Sequence, residues 1–129
     1  MPQTELIFFQ DDDGSVPVRD WLLELQGKNR RAFAKCVDKI GLLSEQGHEL
    51  RRPHADMLRD GVYELRARSG NVNYRILYFF HGQNVAVLAH SLTKESKVPT
   101  KDIERAIRRM EEFEKDPDGH SYREDETNG

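Results

Sequence analysis

Residues 63–80 read YELRARSGNVNYRILYFF. Tyr63, Leu65 and Ala67 alternate with Glu64, Arg66 and Arg68, the period of two that a half-buried strand requires. SGNVN is a turn, and YRILYFF after it is almost wholly apolar, as befits a central strand covered on both faces. The two strands begin an antiparallel meander, and that sets the fold class. They also raise the functional question, because Arg66, Arg68 and Arg75 stand among residues that need burial.

Downstream, HGQN at 81–84 is a tight connection and VAVLAHSL at 85–92 is a third strand. KESKVP is a loop. A helix starts near Thr100, with Asp102 and Glu104 at the positive end of its dipole and Ile103, Ala106, Ile107, Met110 and Phe113 as its apolar stripe. Upstream, HELRRPHADM reads as a loop around Pro53, and Asp60-Gly61 opens the first strand of the meander. Before it, a helix from about Asn29 to Gln46 carries Phe33, Cys36, Val37, Ile40 and Leu43 on one face and stops at Gly47. Val18, Trp21, Leu22 and Leu25 form the stripe of an earlier helix, with Ser15 as its N-cap and Pro17 in its first turn. TELIFF at 4–9 is a short strand.

The order β-α-α-β-β-β-α describes one α+β domain over residues 1–115. Its sheet is mainly antiparallel, with two N-terminal helices on one face, a C-terminal helix, and the other face partly open. Residues 116–129 form an acidic tail, expected as an ordered stub over 117–122 and then a disordered end.

Composition narrows the function classes. One cysteine, Cys36, excludes an internal disulfide and suits a reducing cytosol. No apolar run approaches the ~20 residues of a membrane span, and the N-terminus lacks the basic region of a signal peptide. The net charge of −3 hides an asymmetry. Residues 1–110 hold 18 Lys and Arg against 15 Asp and Glu, whereas residues 111–129 hold 2 against 8. The folded part is mildly basic, which favours anionic partners.

No metal-ligand spacing, phosphate-binding glycine loop or Ser-His-Asp pattern is present among the motifs, and the five histidines lack paired spacing. What remains is a basic set. Glu64, Arg66 and Arg68 share one face of their strand, Arg75 lies on the next, His90 is near the end of the third, and Lys94 and Lys97 follow in the loop. Arginine suits phosphate because its planar fork makes paired hydrogen bonds. The plain structural reading is equally concrete. Arg66 and Arg68 are then surface charge paired with carboxylates, Arg75 is a buried arginine that needs a partner such as Glu64, and His90 is a hydrogen-bonded sheet residue.

YELRARSGNVNYRILYFF followed by VLAHSLTKESKVPTKDIERAIRRMEEF resembles the RelE/HigB-like toxins of bacterial type II toxin–antitoxin systems, especially their phage-derived branch. The resemblance implies a cytoplasmic endoribonuclease without metal or other cofactor. Such an enzyme cleaves messenger RNA, often on the ribosome, and is silenced by an antitoxin, commonly a helix-turn-helix protein of the HigA kind. Contact with operator DNA would run only through that partner. In this chemistry the RNA's 2′-hydroxyl attacks the adjacent phosphodiester. The protein orients the two, moves protons and offsets the growing charge. By resemblance, Arg66 and Arg75 bind the phosphate, Lys94 is a basic position of the loop, Arg68 and Lys97 contact RNA or ribosome, and His90 or Glu64 transfers protons. The best-known members have lysine where this chain has Glu64 and arginine where it has Glu95. Two alternatives stay open: a non-catalytic binding module that acts as a co-repressor, and a ParE-like toxin acting on DNA gyrase.

Overall fold

The computed structural model describes residues 3–94 and 96–123. Its elements are β1 (Glu5–Phe9), α1 (Pro17–Lys28), α2 (Arg30–Gln46), β2 (Ala55–Arg59), β3 (Val62–Ser69), β4 (Val72–His81), β5 (Val85–Lys94), α3 (Thr100–Lys115) and β6 (Ser121–Tyr122). The six strands make one sheet in the order β2-β3-β4-β5-β1-β6. Every pairing is antiparallel except that of β1 with β5. The fold is α+β, as the sequence pattern implies, with three α-helices among the described residues.

Two local readings are corrected. The segment taken as a loop before Asp60 contains β2, and Asp60-Gly61 is the turn of a hairpin, not the start of a strand. Both turn residues have positive φ, 55° and 88°. That is the backbone of the mirror-image turns whose twist matches paired strands, and Asp-Gly supplies it at low cost. Ser15 does not cap α1. Its hydroxyl donates to Asp13 Oδ1 at 2.7 Å, and Val16 holds the N-cap position with no side-chain bond. Pro17 in the first turn has no N–H to satisfy there. The Asn29 side chain does cap α2, accepting from the Ala32 amide at 3.1 Å.

Both faces of the sheet are covered. Val18 and Leu22 of α1 and Cys36 and Leu43 of α2 pack on Leu65, Tyr74, Ile76, Tyr78 and Leu88. The opposite face, expected to be partly open, is largely taken by α3. Ile103, Ala106 and Ile107 sit against Val62, Leu77 and Leu92, and Phe113 meets Phe79 edge-on at 5.6 Å. Alternation along each strand sends side chains to both cores, so the central strand β4 is buried over most of its length.

The chain after α3 docks on β1. His120 is buried, stacked on Phe9 at 5.2 Å, with Nδ1 2.8 Å from the Gln10 carbonyl oxygen. β6 then pairs with Phe8 and Phe9. This stub lies at the far edge of the sheet from β2 and β3. The expected disordered end falls on residues 124–129, outside the described residues. Among the described residues no helix is long and apolar enough to cross a membrane.

Gly47 ends α2 with φ 53°, and a Cβ there would run into the Thr4 hydroxyl. Gly47→Ala is expected to lower unfolding free energy by more than ~1 kcal/mol, through positive φ and overlap together. Phe113→Ala should cost about 3–5 kcal/mol, because the ring is fully buried. Leu23→Ala, at a half-exposed position, should stay within about 1 kcal/mol. Denaturant titration of the three variants measures all of these.

Candidate functional site

The register of β3 on β4 sets Arg66 directly opposite Arg75. Glu64, two residues before Arg66, points to the same face and reaches both. Arg66 Nε and Nη2 lie 3.1 and 2.9 Å from Glu64 Oε2, and Arg75 Nε lies 3.2 Å from Oε1. Toward solvent the pattern continues. Arg66 Nη2 is 3.3 Å from Asp56 Oδ2, and Arg52 Nη2 is 2.8 Å from the same oxygen. Five charges thus alternate as Arg52, Asp56, Arg66, Glu64 and Arg75. Side-chain exposure falls from 75% at Arg52 to 11% at Arg75, so this ladder runs from water into the interior.

Its inner end is poorly matched. Arg75 Nε and Nη1 and Glu64 Oε1 are buried without a hydrogen bond. The 3.2 Å approach of Nε to Oε1 is an ion pair in distance, but the N–H does not aim at the oxygen. Buried donors left this way cost stability and call for an explanation. The ladder also holds three guanidinium groups against two carboxylates. The excess positive charge belongs to the ladder as a whole, while Arg75 Nε and Nη1 are closed off from solvent beside Glu64. At the outer end, the hydrogen bond from Arg52 is the largest influence holding the Asp56 carboxyl below its usual range. It acts against desolvation, and the nearby Arg66 charge adds to it.

His90 is not part of this ladder. It sits opposite Leu77, which in turn lies opposite Glu64, two strand spacings or roughly 10 Å away. A bulge in β5 leaves Ala89 without a partner on β4, and the Ala89 carbonyl accepts from Arg109 Nη1 at 2.7 Å. The same Nη1 is 3.3 Å from His90 Nδ1, and His90 Nε2 is 2.7 Å from Asp102 Oδ1. Arginine only donates, so Nδ1 accepts and Nε2 carries the proton toward Asp102. Both ring nitrogens are occupied, and the clamp is built from α3.

The remaining candidates are dispersed. Arg68 is exposed, and its Nε donates to the Gly70 carbonyl at 3.2 Å. Lys97 is exposed in the loop before α3. Lys94 ends β5 in register with Asn73, and its side chain, like Glu95, lies outside the described residues. Three of the set therefore come together (Glu64, Arg66 and Arg75), while His90 and Arg68 go elsewhere. The sequence reading missed Arg52 and Asp56, because β2 passed for a loop, and it missed Asp102 and Arg109 as partners of His90. The Asp-Gly dipeptide just before an alternating segment was the available signal for β2. No sequence signal marks Asp102 or Arg109.

The clamp carries a pH signature. Desolvation is the main cause lowering the His90 pKa, helped by the Arg109 and Arg105 charges and opposed by Asp102. A lowered folded value means that the unfolded chain binds more protons below about pH 6.5. His90 therefore supports stability above that pH and withdraws support as pH falls through it toward the folded value. Unfolding free energy measured at pH 7.5 and 5.5 should fall more in the wild type than in His90→Gln. An equal fall in both would remove His90 as the cause.

A family model described as Phage derived protein Gp49-like (DUF891) matches residues 20–111. No curated protein matches the chain. The matched span runs from α1 through most of α3 and contains the whole ladder and the whole His90 clamp. The chain belongs to the family of Gp49-like phage-derived proteins, a family of toxin-like proteins.

Proposed function

We propose that this chain is the toxin of a type II toxin–antitoxin pair and a metal-independent endoribonuclease acting on messenger RNA. The observation that carries the reading is Arg75, buried beside Arg66 with two donors unmatched. The RNA 2′-oxygen attacks the adjacent phosphorus, and the bond from phosphorus to the 5′-oxygen breaks. The products are a 2′,3′-cyclic phosphate and a 5′-hydroxyl. Arg66 and Arg75 offset the charge that grows on the phosphate oxygens. Of the two groups considered for proton transfer, Glu64 has one oxygen without a hydrogen bond, buried beside Arg75, whereas both His90 nitrogens are engaged by α3. The base role goes to Glu64, which takes the 2′-hydroxyl proton, and the departing 5′-oxygen takes a proton from water. Family membership and the excess cation of the ladder support the reading. A helix-turn-helix antitoxin is the expected partner, and the ribosome the expected setting.

A second reading has its own observation. The same carboxylates that align Arg66 and Arg75 also neutralise most of their charge, and α3 closes off His90. That suits a binding module that serves as a co-repressor with its partner. Such a complex would bind operator DNA, while the isolated chain would leave growth and RNA intact.

The test is RNA cleavage by the purified chain in EDTA, with the new 5′ ends mapped. The wild type should yield 5′-hydroxyl ends. Arg66→Ala and Glu64→Gln should each slow cleavage by about 10²-fold or more, the usual scale for losing a charge-stabilising donor or a general base. Cleavage that needs added metal, or that both variants leave at full rate, would refute the mechanism.

A further inference from the structure

We infer that a recess on the α2 side of the β3 edge is a second phosphate-binding site, which takes the RNA backbone beyond the Arg66–Arg75 pair. The inference deepens the RNA reading above and rests on it for the kind of ligand.

The last β2–β3 pair is Ala55 with Leu65, so the end of β3 forms the edge of the sheet. There Arg68 and the α2 residues Lys35, Asp38, Lys39 and Leu42 line a recess of about 570 Å³. Three cations face one carboxylate, and Asp38 ion-pairs with none of the described residues. Lys39 Nζ lies 2.7 Å from His54 Nδ1. An ammonium only donates, so His54 accepts, and the lysine is held in place. Arg68 is held through Nε by the Gly70 carbonyl, which leaves its two terminal nitrogens for a ligand.

The helix itself adds a second argument. Arg31, Lys35 and Lys39 recur every four residues, one surface row with steps of about 6 Å. Like charges at this spacing repel and weaken a helix. Arg31 and Lys35 are exposed, and no carboxylate among the described residues pairs with any of the three. A polyanion laid along the row turns that repulsion into attraction. Nucleic acid fits better than an acidic protein for two reasons. Arg68 lies two residues from Arg66 on one strand, about 7 Å along, so the recess continues the ladder around the sheet edge. The lining also lacks an exposed large apolar residue, whereas protein interfaces centre on an apolar core.

The experiment uses the full chain and a labelled single-stranded 2′-O-methyl oligonucleotide, which lacks the attacking hydroxyl and stays intact. Affinity is measured by anisotropy across a KCl series. Lys35→Gln with Lys39→Gln should reduce the slope of log affinity against log salt by about 1.4, two phosphate contacts at ~0.7 each. Arg108→Gln with Lys115→Gln removes the same charge from α3 and should leave the slope alone. An equal loss from both pairs, or no loss from the first, overturns the site. So does salt-independent binding by the wild type. Cleavage of unmodified RNA in EDTA is followed in parallel. A reduced slope without cleavage in any sample keeps the site and drops the nuclease, and cleavage with an unchanged slope does the reverse.

Discussion

Two arginines that face each other across neighbouring strands repel unless something negative stands between them. Arg66 and Arg75 are in that position, and Glu64 is what stands between. Burial makes the requirement strict, because Coulomb energies grow as water is excluded. A slip of one residue in the β3–β4 register would send Glu64 and Arg66 to the face that α1 and α2 cover, and Leu65 and Ala67 away from it. The apolar pattern and the ion pair therefore specify the same register, and each would be unsatisfied without the other.

The same constraint explains why β2 belongs to the sheet. Asp56 lies opposite Glu64, so two carboxylates meet where two arginines have just met. Arg66 bridges them, and Arg52 meets the same Asp56 oxygen from the solvent side. Each charge in the ladder is tolerable only because of the next one outward. The chain of dependence ends at Arg52, which water can solvate. Groups linked in this way act as a unit, so the loss from any one of them is not separable from the rest.

The strands and helices were legible because they follow simple periods. Leu65 and Ala67 announced β3, the stripe from Ile103 to Phe113 announced α3, and Asn29 and Gly47 bounded α2. The part of the sheet that was misread, β2, is five residues long with a burial pattern too irregular for clear alternation. The site was legible only as a set of residue types. That Arg75 is buried and needs a partner follows from its apolar neighbours, and Glu64 was the natural choice. Nothing in the order of residues shows that Asp102 and Arg109, seven apart on α3, would meet at His90. That contact depends on a bulge in β5 and on the placement of a helix across the sheet. The position of Arg68 at a strand end, next to α2, is likewise a property of the assembled edge.

Stability alone does not account for the ladder. Buried ion networks can often be replaced by apolar residues of similar size with no loss of stability, and sometimes with a gain. The surroundings here would allow it, since Leu77 and Leu92 flank Arg75 on the same face. Instead the chain keeps a ladder with one cation in excess, and no described residue hydrogen-bonds Arg75 Nε or Nη1 at its buried end. Helix α3 covers the rows around Leu77 and His90 and ties up the histidine, so among the described buried side chains the atoms left without hydrogen bonds are those of Glu64 and Arg75. The unmet polar demand among the described buried side chains thus falls at one place, one carboxylate oxygen of Glu64 and two guanidinium nitrogens of Arg75, and burial of such groups is a cost that packing alone does not explain.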